Sequence, residues 1–93
     1  MQALISMGFS YSAIEHYDKA IECYQKQLQI ADQIQDHRNI AEAFRNIGIV
    51  YRQQGDYHKA IQSHQQYLEV ARQIEYAIGE GTALNELAMD FYL

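Results

Sequence analysis

The sequence predicts an all-α fold, an α-solenoid of antiparallel helix pairs with two complete hairpins and one additional helix. Three observations predict it. Sliding the chain by 40 residues aligns Ala3–Ile34 with Ala43–Ile74, and a third copy begins at Ala83. Apolar residues recur at three- and four-residue spacing, and no useful stretch alternates with period two. Proline is absent from all 93 residues, so nothing interrupts a long helix.

The repeat rests on matched pairs: Ala3/Ala43, Gly8/Gly48, Tyr11/Tyr51, Tyr17/Tyr57, Lys19/Lys59, Ala20/Ala60 and Ile21/Ile61. It continues through Gln25/Gln65, Leu28/Leu68, Ala31/Ala71, Gln33/Gln73 and Ile34/Ile74. Self-similarity at such a period marks a solenoid built from one supersecondary unit. The helices are expected at about 2–13, 17–34, 39–53, 57–75 and 79–92. They form one domain over 1–93, with repeat 1 at about 1–38, repeat 2 at about 39–78 and a partial repeat 3 at about 79–93.

In the third helix Ile40, Phe44, Ile47 and Tyr51 share one face. Gly55 suits the left-handed position that ends it, and Asp56 suits the N-cap of the next helix. In the fourth, Ala60, Ile61, Tyr67, Leu68, Ala71 and Ile74 repeat the pattern. The first hairpin carries Glu15-His16 where the second has Gly55-Asp56. A glutamate in a left-handed conformation costs about 1 kcal/mol or more relative to glycine. Either that turn has another geometry or the first hairpin is the weaker one. Gly79 and Gly81 lower the helix propensity of the fifth helix, which must therefore lean on packing. Gly8, Gly48 and Ala88 are equivalent small residues that let helices approach closely.

Composition narrows function. Seven basic and twelve acidic residues give a net charge of −5, which argues against nucleic acid, because phosphate binding needs a basic face. One cysteine cannot form an intramolecular disulfide, and a four-ligand zinc cluster is not expected. No apolar run is long enough to span a membrane. No signal peptide is visible at the N-terminus, and a cytoplasmic setting is expected.

The segment G-x-x-Y, followed by G-D-Y-x-K-A-I and a long apolar-periodic helix, resembles a tetratricopeptide repeat. Gly48, Tyr51, Gly55, Tyr57, Ala60 and Leu68 carry the resemblance in the second copy, and Gly8, Tyr11, Tyr17, Ala20, Tyr24 and Leu28 in the first. Glu15 departs from it. The usual unit is about 34 residues; the 40-residue period and the stretch Ile78–Ala83 are similar to a longer subtype found in animal cell-polarity scaffolds and bacterial multi-repeat proteins. The resemblance implies a right-handed superhelix whose concave groove is lined by the first helix of each pair. It also implies non-enzymatic binding of a protein or peptide.

On that geometry the groove residues are Gln2, Ile5, Ser6 and Phe9 on the first helix. They continue with Glu42, Arg45, Asn46, Ile49 and Arg52 on the third, and Thr82, Asn85, Glu86 and Met89 on the fifth. Ile5, Phe9, Ile49 and Met89 offer apolar contact. Asn46 and Asn85 can bond a peptide backbone, and Arg45 and Arg52 can take a carboxylate. These residues can equally be ordinary surface and packing positions. A chaperone-tail carboxylate clamp is not matched. Ile5 and Phe9 stand where that clamp puts Lys and Asn, Thr82 and Glu86 where it puts basic residues, and only Asn46 agrees.

No catalytic, cofactor or metal site is expected. His58 and His64 are six apart and do not share a helical face, so all four histidines read as surface residues. Cys23 aligns with Ser63 and reads as a small packing residue. The alternative to groove binding is self-assembly. Leu84, Leu87, Ala88 and Phe91 repeat the face that the third helix packs against the fourth, and no partner helix follows. The chain is a piece of a longer array, or it dimerises through this face, or the fifth helix turns to bury it.

Overall fold

Helices form where the periodicity places them. The computed structural model describes residues 1–92. It contains α1 (Gln2–Ala13), α2 (Tyr17–Gln33), α3 (His37–Gln53), α4 (Tyr57–Gln73) and α5 (Ala77–Tyr92), and no strand among the described residues. Each helix packs on the next in sequence, and α3 also meets α5, which is the neighbour pattern of an α-solenoid. The result is a slab of 34 × 34 × 17 Å.

Four turns of identical construction set this geometry. Glu15, Gln35, Gly55 and Glu75 all have positive φ, at 63, 57, 84 and 56°. Around each, two backbone bonds close a Schellman motif. In the first turn the Glu15 N–H donates to the Ser12 carbonyl at 3.1 Å and the His16 N–H to the Tyr11 carbonyl at 2.8 Å. The same pair recurs at Gln35/Asp36, Gly55/Asp56 and Glu75/Tyr76. The Glu15 turn therefore keeps the geometry of the glycine turn despite its Cβ. A 20-residue structural rhythm underlies the 40-residue sequence repeat.

The turns differ in their caps. The Asp36 and Asp56 side chains accept from the Asn39 and Lys59 backbone N–H groups, both at 3.2 Å, whereas His16 makes no side-chain cap bond. Asp36 explains why α3 starts at His37 rather than near residue 39. The Asn39 side chain also donates to it at 2.8 Å, and these bonds hold its carboxyl below the usual range. α5 begins at Ala77 rather than near residue 79, because Gly79 is packed inside the helix beneath the Tyr76 ring, where a Cβ would overlap the aromatic carbons.

The matched Tyr and Lys pairs also acquire a reason. Lys19 sits 5.6 Å from the centre of the Tyr11 ring and Lys59 5.5 Å from that of Tyr51, so each hairpin is closed by the same cation–π contact across its turn. The core is in two parts. Ala20, Ile21, Tyr24, Ile47 and Val50 form the larger, with Tyr11, Tyr17 and Tyr51 against it. Ala41, Tyr67 and Ala83 form the smaller, supported by Phe44, Leu68 and Val70.

Candidate functional site

The apolar rows of α3 and α5 that face the hairpins leave their adjacent faces to line a shared cleft. This open cleft has a volume of about 590 Å³ and is lined by Arg45, Thr82, Asn85, Glu86, Ala88, Met89 and Tyr92. The volume lies in the range of a small-ligand or side-chain pocket. Met89 and Tyr92 are 45% and 90% exposed, so the floor offers open apolar surface. Arg45 reaches Glu42 only at 3.9 Å, and its Nε is buried without a hydrogen-bond partner among the described residues. Its guanidinium is thus only loosely committed. Beneath it, burial, with Glu42 nearby, pushes the Tyr67 phenol up.

Ile5 and Phe9 do not line this cleft. Phe9 packs edge-on against Tyr24, with ring centres 6.2 Å apart, and remains largely exposed. Ile49 is half-buried on α3. Asn46 is buried and donates through Nδ2 to the Gln27 Oε1 at 3.4 Å, so its amide is engaged within the core. Arg52 is engaged too, in the feature that the residue pattern did not suggest.

That feature is a buried quartet of charged and titratable groups. Arg52 Nη1 donates to Asp90 Oδ1 at 3.2 Å, and Nη2 to Glu86 Oε2 at 3.4 Å. His64 Nδ1 donates to Asp90 Oδ2 at 2.5 Å. Its Nε2 lies 3.5 Å from Glu86 Oε2 and makes no hydrogen bond among the described residues. His64 is completely buried, which corrects the surface reading of that histidine: it lies against Gly48, where a Cβ would overlap the imidazole. Glu86, expected in the groove, is 7% exposed and turns inward at the cleft edge.

A signal for the quartet existed. One period earlier the same four positions are Ser12, Tyr24, Asn46 and Val50. Three neutral residues become Arg52, Glu86 and Asp90, and the tyrosine becomes His64.

The repeated turns, the glycine–ring contacts and the paired helices agree with a sequence comparison in which a tetratricopeptide-repeat family model matches residues 1–73. The chain belongs to the tetratricopeptide-repeat family. Tetratricopeptide repeats mediate protein–protein interaction, and the family is a non-enzymatic interaction module. No curated protein matches the chain significantly. No helix among the described residues of this tetratricopeptide-repeat protein is long and apolar enough to cross a membrane.

Proposed function

We propose that this tetratricopeptide-repeat chain is an adaptor whose α3–α5 cleft takes an extended segment of a protein partner, an acidic residue flanked by an apolar one. The observation that carries the reading is the placement of loosely paired Arg45 beside exposed Met89 and Tyr92 in one cleft. A carboxylate from the partner can bond the guanidinium in two places, displacing the long contact to Glu42. An apolar side chain then covers Met89 and Tyr92. Asn85, exposed on the same rim, has a donor and an acceptor for the peptide backbone.

Fluorescence anisotropy with labelled peptides tests this. Peptides pairing Asp or Glu with Leu or Phe should bind, and their Asn or Gln counterparts should not. Arg45→Ala should weaken binding about tenfold, as loss of a charge-assisted hydrogen bond implies. Helicity should stay unchanged. Equal binding by the Arg45→Ala variant would sink the proposal.

A further inference from the structure

A second groove runs between α2 and α4, with α3 as its floor. Three cavities of about 440, 350 and 400 Å³ follow one another along it, the first two joined at Gln25 and the last two at Phe44. Leu28, Ile40 and Phe44 make the middle one apolar, and Leu28 and Phe44 are only half-buried. We propose that this groove docks an extended, basic segment of a protein partner, with one apolar side chain of that segment seated on Phe44. The groove is bounded by interior helices. α2 is packed between α1 and α3, and α4 between α3 and α5, so a further repeat at either end of the stack leaves it open. It shares no residue with the α3–α5 cleft: Arg45 of α3 lines the cleft, and Ile40, Phe44 and Tyr51 line the groove.

Charge complementarity selects the occupant. Asp18, Glu22 and Asp32 border the groove on the α2 side, and Asp56 and Glu69 on the α4 side, against Lys59 alone. Five acids and one base place −4 of the chain's net −5 along this one feature. Lys59 reaches Asp56 at 3.9 Å, and the other four acids make no ion pair among the described residues. Elsewhere Glu42, Glu80, Glu86 and Asp90 each have an arginine within 4 Å. Charges of one sign along apolar walls focus their field into the space between them. Lys and Arg side chains are therefore drawn into the groove, and a second copy of this acidic chain is repelled from it.

The polar groups between the acids select an extended backbone. Gln25 and Gln29 on one wall and Gln65 and Gln66 on the other are exposed, and each has a donor and an acceptor. An extended segment has unpaired N–H and C=O groups to meet them, whereas a helix has already paired its own. The α2 wall from Asp18 to Asp32 runs about 21 Å, the length of about six extended residues. Basic side chains at the two ends of such a segment meet Asp18 and Glu22 at one end and Asp32 and Glu69 at the other. Its middle lies over Phe44, where an apolar side chain completes the burial of the ring.

Fluorescence anisotropy on the full chain at low salt tests this with a labelled peptide of about eight residues, Lys alternating with Ser around one central Leu. It should bind, and added salt should weaken it. The same peptide with Ser for Leu should bind markedly less, and with Glu for Lys it should not bind. Glu22→Lys and Glu69→Lys together should weaken binding about tenfold with unchanged helicity, since both side chains are exposed and make no ion pair among the described residues. Glu22→Gln and Glu69→Gln, which keep size and drop charge, should weaken it in the same direction by less. Glu75→Lys makes the same charge change at a turn outside the groove and should leave binding unchanged. Three results overturn the proposal: no binding at low salt, equal binding by the peptide without Leu, or equal loss in Glu75→Lys and Glu69→Lys. The acidic peptide of the α3–α5 cleft should keep its affinity in the groove variants, and the basic peptide should keep its affinity in Arg45→Ala. Failure at one site therefore leaves the other standing.

Discussion

The two junctions between successive repeats occupy equivalent positions and are built from opposite chemistry. Where α3 meets the first hairpin, Tyr24 fills the space over Gly8, with Val50 and Asn46 beside it, inside the larger apolar cluster. Where α5 meets the second hairpin, His64 fills the space over Gly48, and Arg52, Glu86 and Asp90 replace the neutral set. The apolar cluster there shrinks to Ala41, Tyr67 and Ala83 with its supports. What the two share is shape: a ring on a glycine. What differs is tolerance. An apolar contact accepts any surface of the right volume, while buried ions demand particular partners and cost stability wherever one is missing.

The largest expected effect breaks the second junction alone. Arg52→Ala leaves Glu86 and Asp90 buried without their cation and should cost about 3 kcal/mol or more by urea denaturation. The matching Ser12→Ala, which removes only an exposed bond to Gln53, should fall within about 0.5 kcal/mol. The sharper form converts one junction into the other. Arg52→Ser, His64→Tyr, Glu86→Asn and Asp90→Val together should fold and be about as stable as the parent, because they remove the desolvation cost of the buried charges and install the neutral set that stands at the first junction. Loss of the fold in that quadruple variant would show that the charges are required at this site.

Overpacking probes the feature common to both. Gly8→Ala and Gly48→Ala push a Cβ into the Tyr24 and His64 rings and should each cost about 1–3 kcal/mol. A smaller effect compares the turns. Glu15→Gly and Glu75→Gly should each raise stability by about 0.5–1 kcal/mol, and Gly55→Ala should lower it by a similar amount, because φ is positive at all three. Thermal unfolding reads these shifts.

A pH scan isolates the ring of the first junction. Burial, with a contribution from Cys23, pushes the Tyr24 phenol up to about 12. A group whose folded pKa is raised contributes stability that is complete below its unfolded value, near 10, and lost as pH rises towards 12. The parent should therefore weaken over that window more than Tyr24→Phe does. At the acid end the lowered carboxyl of Asp36 acts in the reverse sense. Its cap supports α3 above the ordinary carboxylate range and fails as pH falls through its folded value. Amide exchange at Asn39 should quicken there relative to the intrinsic rate.

The helices, their number and their antiparallel pairing were legible in the sequence by itself, because period, caps and small residues are local signals. So was the family, which G-x-x-Y and G-D-Y-x-K-A-I carry in consecutive residues. The helix starts at His37 and Ala77 were legible only in part. Asp36 is an ordinary capping residue that a pattern of apolar positions overlooks, and Gly79 lies inside a helix because its missing Cβ makes room for Tyr76. The Glu15 turn needed the tertiary structure. Packing of α1 on α2 holds a residue in a conformation that its own side chain disfavours.

The site divided in the same way. Arg45, Asn85 and Met89, which the family resemblance set in the groove, border one cleft. Asn46, Arg52 and Glu86 were drawn from the same helical faces but are committed within the molecule. Helical spacing assigns a residue to a face; whether that face meets solvent or another helix depends on partners far along the chain. Arg52 and Asp90 are 38 residues apart, and His64 and Asp90 26 apart. Only folding brings such charges together, and only burial makes their pairing obligatory, which is why the tertiary structure alone decided the chemistry of the second junction.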